Sequence, residues 1–156
     1  MSIDAEALRA SWSSVLAHGD EVPLFFYSHL ALSRPDIREL FPVVMAGQRD
    51  KFVVALGRIV SSADRTDELV PYLQRLGATH VQFGTTSEHY APVGQSLIAT
   101  LAYFLGELWT NELAQQWQAA YELVASVMQD AAAEVEQISG ELPTAEESSS
   151  ARSEQS

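Results

Sequence analysis

His80-Val81-Gln82-Phe83-Gly84-Thr85-Thr86-Ser87-Glu88-His89-Tyr90 runs directly into Ala91-Pro92-Val93-Gly94-Gln95-Ser96-Leu97-Ile98-Ala99-Thr100-Leu101, and this stretch decides the class of fold. On its N-terminal side Leu73, Leu76, His80 and Phe83 recur at three- and four-residue spacing. That is one face of a helix, so a helix starting near Asp67-Glu68 turns His80 toward the core. Thr85-Thr86-Ser87-Glu88 has the capping-box pattern, and the helix it opens is expected to bury Val93, Leu97, Leu101, Phe104 and Leu108.

The same period continues outward in both directions. Leu8, Trp12, Val15 and Leu16 predict a first helix over about residues 4–18, closing near Gly19. Val22, Phe25, Phe26 and Leu30 predict a second, with Pro23 in its first turn. Ser33-Arg34-Pro35-Asp36 reads as a capping box opening a short third helix that ends around Phe41-Pro42. Phe52, Leu56, Ile59 and Val60 predict a fourth over Gln48 to Val60. After Thr110-Asn111 a last helix presents Leu113, Trp117, Val124, Val127 and Met128. No alternating strand pattern interrupts them, so the class is all-α, in helices too unequal for a simple four-helix bundle.

The 156 residues, 47% hydrophobic, suit one core and one domain over residues 1–140. From Glu141 the composition turns to Ser, Glu, Thr and Pro with one leucine, and residues 141–156 are expected to form a disordered acidic tail. A formal net charge of −12 and a single lysine, Lys51, argue against nucleic acid or anionic lipid as partners. No apolar run has the length of a membrane span, and the acidic start lacks the features of a signal peptide, so a cytoplasmic protein is expected. Without cysteine, any metal falls to His, Met, Tyr or carboxylate.

His80 is the first such candidate, because an imidazole on an apolar face needs a partner and suits a metal. Spacing alone also fits a hydrogen-bonded core histidine. Tyr90, ten residues on, is placed to contact it. Tyr27 sits in the aromatic run Leu24-Phe25-Phe26-Tyr27, where its hydroxyl requires a partner, a ligand or water. Gln48 reads as a residue near a cap. His18, His29 and His89 have polar neighbours, and no two histidines show the i, i+4 spacing of a helical zinc pair.

Together these residues resemble the globin domain of bacterial flavohaemoglobins and the related single-domain bacterial haemoglobins, over about residues 4–138. The opening stretch carries the family's proximal histidine, a tyrosine ten residues later and its VG-x-x-L-x-A-T-L helix. Phe26-Tyr27, Pro35, Ile37 and Leu40-Phe41 resemble its second and third helices. Gln48-Arg49 resembles the opening of its distal helix, with a loop about three residues shorter after Phe41, and Trp117 and Tyr121 match its last helix.

The resemblance implies a three-over-three helical sandwich holding haem b. His80 would be the iron ligand, and Tyr27 and Gln48 would steady a bound gas. Phe41, Phe52, Leu56 and Leu76 would line the cofactor pocket together with Tyr90, Val93, Leu97 and Leu101. Reversible binding and delivery of dioxygen is the implied function, with NO and CO as further ligands. Two alternatives are a nitric-oxide dioxygenase dependent on a separate reductase and a haem-free sensor with the same fold. One departure stands out: the family's enzymes place a glutamate against the tyrosine and histidine, and the register of Trp117 and Tyr121 puts Ala132 there. Gln129 lies one turn earlier on the same side, and Glu134 is about 200° around the helix. The flavin and nicotinamide domains of flavohaemoglobins are not expected within these residues, which is why a separate reductase is called for.

Overall fold

Asp4 accepts a hydrogen bond from the Ala7 amide at 3.1 Å and so caps α1, Ala5–Leu16. The computed structural model describes residues 3–141, so the proposed tail lies outside the described residues except for Glu141, which ends the last helix. A turn at Gly19, whose φ of 64° suits glycine, leads into α2, Glu21–Ser33. Next come α3, Pro35–Arg38, and α4, Ala46–Ser61. Three further helices follow: α5, Thr66–Gln82, α6, Tyr90–Leu105, and α7, Asn111–Glu141. Among the described residues no strand occurs, and no helix is long and apolar enough to cross a membrane.

Local chemistry corrects several sequence expectations. Ser33 does not cap the third helix; it closes α2, and Arg34 precedes α3 while its guanidinium forks onto Asp36 at 2.9 and 2.8 Å. The helix ends at Arg38, short of Phe41-Pro42, and the Arg38 guanidinium then holds the carbonyls of Phe41 and Pro42 in a turn. The capping box ahead of α6 is real, but its reciprocal partner for Thr86 is His89 rather than a glutamate: Nδ1 of His89 accepts from the Thr86 amide at 3.0 Å. Phe83 and Leu108, expected to be buried, are 64% and 63% exposed because each falls at the end of its helix, where the chain turns away.

Two apolar clusters make the core. Leu8, Trp12, Phe26, Leu30, Leu101 and Trp117 anchor the larger one, in which Trp117 Nε1 donates to the buried Ser11 hydroxyl at 2.9 Å. Leu69, Leu73, Tyr90, Ala125 and Met128 form the smaller one between α5, α6 and α7. Helices α1, α4 and α5 make one layer, crossed by α2, α6 and α7. Helix α5 packs extensively on α7 and α2 on α6, whereas α4 and α5 are not closely packed on each other, although only a short turn joins them.

Gly77 permits the tight α5–α7 crossing. A Cβ there would lie 2.8 Å from Met128 Cα, against backbone that cannot swing aside. Gly77→Ala should therefore lower stability by about 1–3 kcal/mol despite the ~1 kcal/mol gain in helix propensity. Gly57→Ala, whose Cβ would meet only Trp12 Nε1 at 3.8 Å, should be neutral or stabilising. Urea unfolding midpoints of the two variants test this, and a stabilised Gly77→Ala would refute the close crossing.

Candidate functional site

The thinly packed region between α4 and α5 is the candidate cleft, with one apolar set from each cluster. Phe52 and Leu56 on α4 pack, half-buried, against the larger cluster. Leu76 on α5 packs against the smaller one. Leu97 and Leu101 of α6 are buried behind it, with Val93 half-buried beside them.

His80 lies two residues from the C-terminal end of α5 and is half-buried. Its Nδ1 is 2.7 Å from the Leu76 carbonyl, one turn back. Since a carbonyl can only accept, Nδ1 carries the proton, and in the neutral imidazole Nε2 then presents a lone pair. Among the described residues no group of three or more His, Cys, Asp or Glu gathers that could hold a metal. A metal at His80 would have to arrive with most of its coordination already filled, and an apolar cleft beside a single free Nε2 fits a flat group of that kind.

Tyr27, brought in by α2, meets Gln48 at the head of α4. Gln48 Nε2 donates to the Tyr27 hydroxyl at 3.2 Å, while the hydroxyl's own contact with the Gln48 carbonyl is long, at 3.5 Å. The phenol proton is thus held weakly and is free to turn toward a better acceptor. Around the ring, Phe41 and Phe52 stand edge-on at 5.3 and 5.7 Å, and Phe52 stacks on Phe26 at 4.2 Å. Burial pushes the Tyr27 phenol above its ordinary value and the Gln48 hydrogen bond partly offsets this, so the group stays a proton donor.

The structure joins Tyr27, Gln48, Phe41 and Phe52 in one set, but it does not join Tyr90 to His80. The Tyr90 hydroxyl is buried without a hydrogen-bond partner, and Nδ1 of His80 is taken by the Leu76 carbonyl. Ala132 and Gln129 are half-buried, and Glu134 is exposed, as its position around the helix predicts. Sequence reasoning missed the Leu76 carbonyl, although a residue four before a helical histidine is a natural acceptor. It also missed the partner of His29, whose Nδ1 lies 2.8 Å from the buried Ser96 hydroxyl. Ser96 sits on the inner face of α6, the signal that could have pointed to this pair.

Comparison with known proteins agrees with the helical order. A family model described as Globin matches residues 24–128. A flavohaemoprotein of Bordetella parapertussis is 32% identical over 134 residues, covering 82% of this chain and 33% of that protein. A leghaemoglobin of Medicago sativa is 29% identical over 140 residues, covering 82% of this chain and 95% of its own length. The chain thus spans about a third of the flavohaemoproteins it matches. Among solved structures, an engineered carbene transferase derived from a candidate nitric oxide dioxygenase of Rhodothermus marinus superposes with a TM-score of 0.77. It is 25% identical, and the match covers 87% of this chain and 95% of that one.

Burial also raises the phenols of Tyr90 and Tyr121, the latter further through the charge of Tyr90. Above the ordinary phenol value of 10.0 the unfolded chain ionises while the folded one keeps its protons. Stability that is full below that pH should then be lost as pH rises through the raised folded-state values. Unfolding by urea at about pH 9 and about pH 11 should show the drop, and Tyr121→Phe should reduce it; an equal drop in the variant would refute the assignment.

Proposed function

The chain belongs to the globin family, and from that premise we propose that it is a haem protein, holding haem b through His80 and binding dioxygen reversibly beside Tyr27 and Gln48. The observation that carries this reading is the single imidazole with a free Nε2 at an apolar cleft, with a ready phenol donor in the aromatic set at the head of α4. When bound, the haem supplies an iron position open to diatomic gases. The relatives' names, flavohaemoprotein and leghaemoglobin, support the same cofactor.

Each residue then has a definite task. The Leu76 carbonyl fixes the His80 tautomer, so a neutral imidazole offers Nε2 to the metal. Leu76, Val93, Leu97 and Leu101, with the Tyr90 ring, form the apolar bed of the cofactor. Phe41, Phe52 and Leu56 exclude water from the gas side, which slows oxidation of the metal. An electron-rich guest such as dioxygen in that pocket would meet the Tyr27 hydroxyl, which the Gln48 amide orients and whose weakly held proton would turn toward it. We assign this work to residues 1–140, in a cytoplasmic setting.

A second reading, a nitric-oxide dioxygenase served by a separate reductase, draws on the flavohaemoprotein match and on the candidate dioxygenase behind the Rhodothermus marinus structure. Against it stand Ala132, where the family's enzymes carry a glutamate, and the uncharged Leu76 carbonyl, which is the described partner of His80 Nδ1. Steady NO consumption after adding a flavin reductase would favour the enzyme. A colourless purified protein would favour a haem-free sensor.

His80→Gly is expected to abolish stable haem retention, or to leave haem whose ferrous spectrum returns to that of the wild type only with added imidazole. An unchanged spectrum without imidazole would remove His80 as the ligand. Tyr27→Phe is expected to speed dioxygen release while leaving carbon monoxide release nearly constant, since the less polar gas depends little on a donor. A lost charge-assisted hydrogen bond is worth roughly 1.5–3 kcal/mol, or about 10- to 150-fold in rate. Stopped-flow release rates equal to the wild type for both gases would refute the role of Tyr27.

A further inference from the structure

Helix α4 is the one described helix in which bases outnumber acids: Arg49, Lys51 and Arg58 stand against Asp50 alone. Helix α7 is its opposite, with six carboxylates and no base. The ion pairs among the described residues use Arg9, Arg34 and Arg65, so the charges of Lys51 and Arg58 stay unneutralised. Asp67 and Glu68 share a surface hollow with Arg58 without pairing with it. An uncharged group holds Arg58 in place instead, its guanidinium lying 4.4 Å over the Tyr72 ring.

Gly47, Lys51, Val54 and Arg58 follow one another at steps of four, three and four residues, and all four are exposed. They form one stripe along the outer side of α4. Val54 is 69% exposed within it, and Val43 and Val44, in the segment just ahead of the helix, are 91% and 77% exposed. A face that served only solvation would carry polar side chains at these places, whereas apolar side chains set beside cations have the composition of a contact with another protein. Phe52, one residue after Lys51, lies about 100° around the helix and belongs to the cleft wall. The exposed stripe and the gas pocket are thus two sides of one helix.

We propose that this stripe, together with Val43 and Val44, is the docking surface for an acidic protein that carries a flavin, the separate reductase. The choice of partner rests on the haem reading above, while the surface itself rests on charge and exposure. An acidic partner is repelled by the carboxylates of α7 and drawn to α4, so the charge asymmetry of this chain orients the encounter. A membrane fits less well, since anionic lipid is gripped by clusters of about four to eight bases. The step served is a one-electron transfer: the partner's reduced flavin loses an electron, ferric iron in the cleft gains it, and no bond or proton on this chain changes.

A flavodoxin of net negative charge, added at low salt to the full isotope-labelled chain under carbon monoxide, tests the surface through backbone amide shifts. The amides of residues 43–58 should move, and those of residues 111–130 should not. Lys51→Gln with Arg58→Gln should weaken binding roughly three- to tenfold, since each contact is solvent-screened. Val43→Ser with Val44→Ser should weaken it as well. Gln115→Glu with Gln118→Glu, the same change of net charge at exposed positions of α7, should leave it nearly unchanged. Salt at about 0.5 M should remove most of the binding. Equal losses from the two charge-changing pairs, shifts spread over the whole surface, or no binding at all would overturn the docking site. So would tight binding to phosphatidylserine vesicles that the α4 pair weakens in place of flavodoxin binding. The colour of the purified chain is read separately. A red chain that ignores flavodoxin loses the surface and keeps the haem, and a colourless chain that binds it at residues 43–58 keeps the surface and loses the reductase.

Discussion

The crossing of α5 over α7 at Gly77 and Met128 holds the helix of His80 to the helix behind it rather than to α4. Backbones can approach this closely only because position 77 lacks a side chain. Once α5 leans onto α7, α4 takes its support elsewhere, from α1 and α2. The space between them stays open because each wall is already satisfied on its far side: Phe52 and Leu56 by the larger cluster, Leu76 by the smaller. A cleft in a small protein is costly unless its walls are independently packed, and here two clusters rather than one continuous core provide that.

Three polar side chains face the chemistry of the cleft. His80 is held in one tautomer by a backbone carbonyl, Tyr27 keeps its proton through burial, and Gln48 brings an uncharged amide. The described ion pairs, Arg9 with Asp64, Arg34 with Asp36 and Arg65 with Glu68, join none of these residues. A site of this kind polarises a guest without demanding that a proton or charge move, which suits reversible holding better than bond breaking.

Much of this could be read in the residues beforehand. Helical periodicity located every long helix, and the run from His80 to Leu101 carried both the fold and the inward histidine. What escaped was whatever depends on the meeting of distant helices. Nothing in the local pattern marks Gly77, which lies inside α5 and owes its place to Met128. His29 looked polar-flanked because its buried partner, Ser96, is on another helix. Phe83 and Leu108 obeyed the period but lay where the helices stop, and periodicity alone does not mark an end. At Thr86 the local pattern was sound, but a histidine fills the reciprocal position.

Gly77 also sets a mechanical asymmetry. His80 is three residues beyond the crossing, about 4.5 Å along the helix axis, so it sits close to a clamped point. Helix α4 meets α5 through side chains, the Arg58 guanidinium lying 4.4 Å over the Tyr72 ring and Ile59 packing on the smaller cluster. The two sides of the cleft are thus tied differently, one by backbone packed on backbone at Gly77 and the other by side chains. Substitutions near the crossing and substitutions on α4 would therefore disturb different parts of the site.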